Sequence, residues 1–360
     1  MVRGVRRRRL GREDHDHDRY HLGCGDRGRG TAVTDAPAGP AVVVVGGGIS
    51  GVACAQALRA AGVPVQLLDR GHRLGGRMAS RTRDGRPVDI GASYLTVGDD
   101  RFAAVVEEWQ AAGLARPWTD TFSTLSASGP PGTSKGPLRW GGARGMRALV
   151  EQLAEGLSTR QDTVRVVDRD PAGALTVDGR PARAVVLAMP DPQARRLLGP
   201  GLTGLGETLD DPFEPVLALT AVWDERSWAT TSDSTFDGAF VTDDTLAWIA
   251  DDGRRRGDGA AVLVAHSTPT LAAANLDDPD AAADALVAAL RRLMGVGAPR
   301  SVEVHRWTFA RPTAPRVEPF LLDGLVGVCG DRWGGRPRVE AAYLSGRCLG
   351  EELADRLLLT

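Results

Sequence analysis

Three observations predict an α/β fold, in which a parallel sheet covered on both faces is joined by an inserted α+β portion with a mixed, largely antiparallel sheet. The first is the run Ala41-Val42-Val43-Val44-Val45 entering a glycine cluster, Gly46-Gly47-Gly48-Ile49-Ser50-Gly51. Four consecutive β-branched residues leave no polar face, as in a strand buried on both sides. The second is the order of patterns that follows: an alanine-rich helical stretch, Val52 to Ala61, then a second strand, Val63 to Leu68, ending at Asp69. The third is the change of character after residue 210. There, short apolar or alternating runs recur at Val216–Trp223, Gly238–Val241, Leu246–Ala250, Ala261–His266 and Val302–Phe309.

Gly46, Gly48 and Gly51 occupy the positions of a G-x-G-x-x-G motif between a strand and a helix. Gly46 allows the tight turn, Gly48 lets a pyrophosphate approach the backbone, and Gly51 lets the helix pack against the strand. The amides of Ile49 and Ser50 then point at the phosphate from the positive end of the helix dipole. Asp69 stands roughly 20 residues beyond the glycines, where an acid holds a ribose 2′-hydroxyl. A carboxylate there disfavours a 2′-phosphate, so the ligand is FAD or NAD rather than NADP.

The rest of the chain is read in order. Residues 1–38 carry a basic run, Arg6 to Arg9, and an acid–histidine alternation from Asp14 to Asp18, with too few large apolar residues to fold. They are expected to be a disordered tail. Gly75-Gly76-Arg77-Met78, soon after the second strand, would bring backbone and a guanidinium to a pyrophosphate. Val88 to Thr96 reads as a strand running into a turn, Phe102 to Ala112 as a helix and Gly145 to Leu157 as an amphipathic helix. Ser123 to Pro137, rich in Ser, Gly and Pro, reads as a loop. Thr163–Val167, Ala174–Val177 and Ala184–Leu187 read as strands, Pro192–Leu198 as a short helix and Ala281–Met294 as a longer one. Gly324–Cys329 gives a further buried strand before Gly330-Asp331, and Val339–Leu359 a closing helix.

The formal net charge of −2 gives no case for nucleic-acid binding, and no apolar run reaches membrane-spanning length. Cys24, Cys54, Cys329 and Cys348 form no C-x-x-C pair and suit free thiols in a reducing cytoplasm. No metal site is expected. Lys135 is the only lysine in the chain.

From Ala41 onward the sequence resembles the FAD-dependent oxidoreductases of the flavin amine oxidase/renalase group, and within it the bacterial renalases. The marks are Gly-Gly-Gly-Ile-Ser-Gly at 46–51, Gly-Gly-Arg-Met at 75–78, Asp-Ile-Gly-Ala-Ser-Tyr-Leu-Thr at 89–96 and Arg-Trp-Gly-Gly-Ala-Arg-Gly-Met at 139–146. His-Arg-Trp-Thr-Phe-Ala-Arg-Pro at 305–312, Gly-Asp-Arg-Trp at 330–333 and Arg-Val-Glu-Ala-Ala-Tyr-Leu-Ser-Gly at 338–346 complete them. Ser93, Leu95, Ala341 and the extra residue in Gly330-Asp331-Arg332-Trp333 depart from the family pattern.

The resemblance implies a Rossmann-like FAD-binding domain made of 39–98, 143–190 and 318–360, with a substrate domain made of 99–142 and 191–317. It implies non-covalent FAD, with Asp69 and Arg70 at the adenosine ribose and Gly76, Arg77 and Met78 at the pyrophosphate. Gly91, Ala92 and Ser93 would pass the flavin, and Val164 would meet the adenine. Gly330 and Asp331 would bind the ribityl or phosphate end, and Arg338 and Val339 would lead the last helix towards flavin O2. The implied activity is hydride transfer from a dihydronicotinamide isomer, with oxygen as acceptor and hydrogen peroxide as product. A dihydropyridine needs no protein base, so no acid or base is assigned. Tyr94, Trp248, His305, Arg306 and Trp307 are the candidates for the substrate pocket. The aromatic ones would serve equally as ordinary core. The alternatives are an amine oxidase or desaturase of a small metabolite, and a flavin-binding protein without turnover. Amine oxidases of the group use a lysine bridged by water to the flavin, whereas the only lysine here, Lys135, falls in the expected loop among Ser and Gly.

Overall fold

The computed structural model describes residues 41–228 and 236–359, and all counts refer to these. The expected tail, 1–38, lies outside them. The chain opens with β1 (Val42–Val45), α1 (Ile49–Ala60) and β2 (Val65–Asp69). The hairpin β3 (Ser80–Arg83) and β4 (Arg86–Asp89), the short β5 (Leu95–Thr96) and α2 (Asp100–Ala111) lead into β6 (Ala115–Ser126) and β7 (Gly132–Gly142). Then come α3 (Met146–Leu153), β8 (Thr159–Gln161), β9 (Val167–Arg169), β10 (Leu175–Val177), β11 (Arg180–Pro181) and β12 (Ala184–Leu187). Short helices α4 (Asp191–Arg195) and α5 (Thr203–Glu207) precede β13 (Phe213–Val222), β14 (Gly238–Thr242), β15 (Leu246–Asp251), α6 (Asp252–Arg256) and β16 (Val262–Ser267). Helices α7 (Pro269–Ala274) and α8 (Ala283–Met294), then β17 (Ser301–Pro312), β18 (Leu321–Asp323), β19 (Val326–Val328) and α9 (Val339–Leu358), complete the chain.

The four valines of β1 do what their pattern requires. Val42 and Val44 enter one core, and Val43 and Val45 enter another on the opposite face. β1 lies inside a six-stranded sheet of order β18-β19-β12-β1-β2-β8, parallel except for the antiparallel edge strand β18. Helices α1, α3 and α9 cover one face. The β9–β11 meander and the segment of α4 and α5 cover the other. The fold is thus α/β, with a Rossmann-like half and a second, mixed sheet.

That second sheet has eight strands in the order β17-β13-β16-β15-β14-β6-β7-β5. It is antiparallel except where β14 runs parallel to β6. β13 is buried on both sides from Val216 to Val222, as a run whose only polar member is Thr220 requires. Leu217, Leu219 and Ala221 face α7 and α8, while Val222 packs on Val88 of the β3–β4 hairpin.

Three expectations are corrected. Ser123 to Pro137 is no loop: most of it forms the facing arms of β6 and β7, with the turn only at 127–131. Small polar residues suit this hairpin because β6 also pairs with β14, so its ladder is satisfied from both sides. Thr163 to Val167 is not one strand. The amides of Arg165 and Val166 both donate to the Asp178 carboxylate, at 2.9 Å each, so a side chain takes the place of a ladder partner. The strand beside β2 is instead Thr159–Gln161. Leu95 and Thr96 fall before the expected boundary at residue 98, yet they pair with β7 in the eight-stranded sheet.

Candidate functional site

The end of β1 turns at Gly46, whose φ of 109° suits glycine alone. α1 then begins at Gly48 with no side chain capping its first amides. Those N–H groups are free for a ligand at the positive end of the helix. A Cβ on Gly48 would meet nothing nearer than Gly76 Cα at 4.0 Å, and one on Gly76 would come within 3.1 Å of Gly48 Cα. The two glycine turns therefore approach backbone to backbone and leave an open groove, which is what a pyrophosphate needs.

Asp69, at the end of β2, is held by two amides. Gly47 N–H donates to Oδ2 at 2.5 Å and Gly71 N–H to Oδ1 at 2.6 Å. Each carboxylate oxygen keeps a lone pair for a ribose hydroxyl. Val164 is buried on the same core as Leu68. Arg70 is exposed, with its carbonyl accepting from Gln161. Met78 is a core residue, 3% exposed. Arg77 forms a bidentate pair with Asp331, at 2.7 and 3.0 Å, so two residues expected on different parts of one cofactor hold each other. A guanidinium oriented this way keeps N–H groups for a phosphate. Gly330 N–H donates to Ser345 Oγ on α9 at 3.1 Å.

The segment Ile90–Ser93 is clamped at both ends by tryptophans of the large sheet. Trp307 Nε1–H donates to the Ile90 carbonyl at 2.8 Å, and Trp248 Nε1–H to Ser93 Oγ at 3.0 Å. Ala92 N–H donates to the Arg77 carbonyl at 2.8 Å, and a Cβ on Gly91 would lie 1.9 Å from that oxygen. Beneath Ser93 lies a buried ionic cluster. Arg255 Nη1–H donates to the Ser93 carbonyl at 3.0 Å and pairs with Asp252. Arg256 bonds Asp89 Oδ2 at 3.1 Å and the Gly142 carbonyl at 3.1 Å. Arg86 reaches Asp252 at 2.5 Å, and Asp89 Oδ1 accepts from Ser80 Oγ and Met146 N–H. Asp89, Asp252 and Arg255 have no exposed surface. Residues 252–256 offer no apolar periodicity, so nothing local in the sequence marks this cluster.

The substrate-side candidates fall into two groups. Tyr94 and Trp248 join Trp118, Phe122 and Phe240 in an aromatic cluster with ring centroids 4.7–6.3 Å apart. Arg139 stacks 4.2 Å above Phe122, and burial raises the pKa of Tyr94. His305 and Trp307 meet edge to face at 4.7 Å. Burial, aided by Arg81 and Arg306, lowers the His305 pKa to about 4. Arg306 does not share their wall. Neighbours on a strand point to opposite faces, and its guanidinium bonds the Leu276 carbonyl instead. Sequence reasoning missed Trp118, Phe122, Phe240 and Arg139, which stand on the hairpin read as a loop or on its neighbours. A separate cavity of about 340 Å³, lined by Arg116, Arg226 and Arg254, shares only Trp118 with the cluster.

At the start of α9, Val339 is buried and the Glu340 carboxylate accepts from Gly98 N–H and Asp99 N–H, at 2.6 and 2.8 Å. Arg338, half exposed, pairs with Glu340 at 2.5 Å and offsets its charge near the helix N-terminus. Cys54, Cys329 and Cys348 are free; Cys24 lies outside the described residues. Among the described residues there is no cluster of metal ligands, and no helix is long and apolar enough to cross a membrane.

Taken together, the glycine cradle, the Asp69 carboxylate and the clamped Ile90–Ser93 segment define a dinucleotide-binding flavoprotein. Residues 44–109 match the NAD(P)-binding Rossmann-like domain, and residues 131–347 match the flavin containing amine oxidoreductase family. The second match covers more than half of the chain, which belongs to that family. FAD is its cofactor, and the cradle fits it. The chain is similar to polyamine oxidase 5 of Oryza sativa subsp. japonica, 52% identical over 56 residues, which are 16% of this chain and 11% of that protein. It is 40% identical over 67 residues to putrescine oxidase of Kocuria rosea, covering 19% and 14%. The matched stretch thus spans little more than a tenth of these relatives' length. Cyclohexylamine oxidase from Brevibacterium oxydans superposes with a TM-score of 0.70 at 15% identity, over 89% of this chain and 99% of that one. Putrescine oxidase bound to putrescine gives 0.66 at 16% identity, over the same shares. At such identities these two solved structures establish a shared fold.

The cofactor is expected to be held without a covalent bond. Cys348 sits on α9, where it accepts a long contact from Arg101 at 3.6 Å. Acid precipitation should release all the yellow colour into the supernatant; colour in the pellet would contradict this.

Proposed function

We infer that the chain is an FAD-dependent oxidase of a small amine, with oxygen as the electron acceptor and hydrogen peroxide as product. The observation that carries this reading is the aromatic cluster beside Ser93 and Tyr94, at one end of the segment clamped against the cradle. When bound, FAD supplies the acceptor for the two electrons of a carbon–hydrogen bond next to nitrogen. The chain's own residues bind, orient and exclude water. Tyr94 offers an apolar ring face backed by the buried Trp248 and Phe122, and Arg255 fixes the Ser93 carbonyl so that the flavin segment cannot shift. Family membership and the named relatives support this reading. The free buried thiols Cys54 and Cys329 suit a cytoplasmic setting. The boundaries 39–98, 143–190 and 318–360 against 99–142 and 191–317 are kept as the proposed division, with Leu95 and Thr96 moved to the second part.

A second reading, renalase-like oxidation of a dihydronicotinamide isomer, is favoured by one observation. The only lysine is 79% exposed on β7, paired with Asp120 at 3.5 Å, so it cannot carry a water to the flavin. A dihydropyridine requires no such group. Anaerobic mixing of the yellow protein with amines and with dihydronicotinamide isomers separates the two. We expect the flavin to bleach with an amine. Bleaching by a dihydronicotinamide alone would select the second reading, and bleaching by neither would leave a flavin-binding protein without turnover.

A further inference from the structure

The cavity beside Trp118 lies outside the clamped flavin segment, and no step of the oxidation uses it. Its volume of about 340 Å³ falls within the roughly 300–1,000 Å³ of sites for small organic molecules. Three guanidinium groups line it: Arg116 from β6, Arg226 from the segment after β13, and Arg254 from α6. Trp118, the Asp237 carboxylate and three glycines form the rest of the wall. A Cβ on one of them, Gly259, would meet nothing within 4 Å, so that side stands open.

The charges around this cavity do not cancel. Asp237 accepts from Arg254 Nε–H at 3.2 Å and from Trp118 Nε1–H at 3.1 Å. Arg226 is paired with Asp251, which has no exposed surface and is also held by the Trp228 ring N–H and the Arg254 amide. Arg116 has no carboxylate. Its Nη1 donates to the carbonyls of Arg254 and Arg255, at 2.8 and 3.1 Å, and so satisfies the end of α6. The neighbouring acids Asp89, Asp252 and Asp258 are taken by Arg86, Arg255 and Arg256. The unmatched positive charge is therefore that of Arg116, at the cavity wall. A guanidinium carries five N–H donors. Among the described residues, Arg116 spends only its Nη1 group, Arg226 its Nη2 and Arg254 its Nε. Each keeps donors for a ligand, and three separate donor groups suit an anion with three terminal oxygens better than a carboxylate with two.

We propose that this cavity is a binding site for a phosphate monoester, with the phosphate among Arg116, Arg226 and Arg254 and the organic part on Trp118. The Trp118 ring is only partly buried, and it is backed by Phe122 and Tyr94 at centroid distances of 5.1 and 6.3 Å. The site is separate from the place of the amine, but Arg116 joins the two. Arg255, whose carbonyl Arg116 holds, also bonds the Ser93 carbonyl of the flavin segment.

Phenyl phosphate, inorganic phosphate and benzoate are titrated by calorimetry into the yellow holoprotein at about 150 mM salt, where long-range attraction between surface charges is screened. Phenyl phosphate should bind at one site per chain with a Kd of about 1 mM or lower and release no flavin. Inorganic phosphate and benzoate should each bind at least about threefold more weakly, the first lacking the ring and the second the third oxygen. Arg254→Gln should raise the Kd for phenyl phosphate about tenfold or more, the loss of one charge-assisted hydrogen bond. It should fold normally, because Asp237 keeps its bond from Trp118. Arg116→Lys keeps the charge and a donor for the two carbonyls but loses the fork, and should cost about fivefold or more. Arg195→Gln removes an exposed charge on α4 and should stay within about twofold of the wild type. All three variants should keep their flavin and their melting temperature. The proposal is overturned if phenyl phosphate gives no saturable heat or displaces flavin, or if Arg254→Gln and Arg116→Lys bind it as tightly as the wild type. Weakening by Arg195→Gln to the same extent would reduce it to general charge attraction and overturn it too. Equal or tighter binding of inorganic phosphate or of benzoate would overturn the ester or the phosphate, respectively.

Discussion

Gly48→Val gives a folded but colourless protein. The native φ at Gly48 is −76°, which any residue adopts, and its Cβ position is clear of protein atoms to 4.0 Å. Stability should therefore change little, by about 1 kcal/mol for a poorer helix cap. The space the side chain enters is the groove between two glycine turns, where the pyrophosphate would lie. Affinity for FAD should fall at least about a hundredfold, or ~2.8 kcal/mol. Gly48→Ala should fall between the two. Gly51 supplies the control. A Cβ there would sit 2.0 Å from the Gly46 carbonyl oxygen, so Gly51→Val should lose the fold itself. Circular dichroism and the flavin-to-protein absorbance ratio distinguish these outcomes. A yellow Gly48→Val protein would remove the pyrophosphate from this groove.

Asp252→Asn should cost about 3–5 kcal/mol and lower the Tm by about 5–15 °C. The substitution keeps shape and removes the charge that faces Arg255, Arg256 and Arg86 in a site without solvent. Burial alone would raise the pKa of Asp252, but those three guanidinium groups outweigh it and hold it at about 2. The folded value is thus below the unfolded one of about 3.9. The associated stability is present above about pH 4 and lost as pH falls towards 2. Wild-type melting curves should steepen their decline across that window, and the variant should lack that component. Because Arg255 also holds the Ser93 carbonyl, the variant should bind flavin more weakly at neutral pH. An unchanged Tm would mean that water or movement relieves the stranded arginines.

The elements that write their own period were legible. The valine run of β1, the glycine turn, α1, the closing helix and strands β13 to β17 of the second sheet follow from local pattern, and the structure has them in place. What escaped depends on residues distant in the chain. The β6–β7 hairpin has the composition of a loop and becomes sheet because β14 lies beside it. Arg306 stands next to His305 and Trp307 in sequence, but strand parity turns it away. Asp89 and Asp252 are 163 positions apart, so the ion cluster they share could not be read from spacing.

The packing of α9 on α1 has a consequence for biosynthesis. Gly346 and Gly350 let the last helix lie directly on the backbone of the first, and a Cβ on Gly346 would fall 1.8 Å from the Ser50 carbonyl oxygen. The floor beneath the phosphate turn is therefore supplied by residues made about 300 positions after it. At about 5–20 residues per second, roughly 15–60 s pass between synthesis of β1 and emergence of α9. During that interval the valine strand and the uncapped start of α1 lack their covering helix and the β19 side of their sheet. The apolar faces of β1 and α1 then stay open to water, which is where aggregation of an incomplete chain begins.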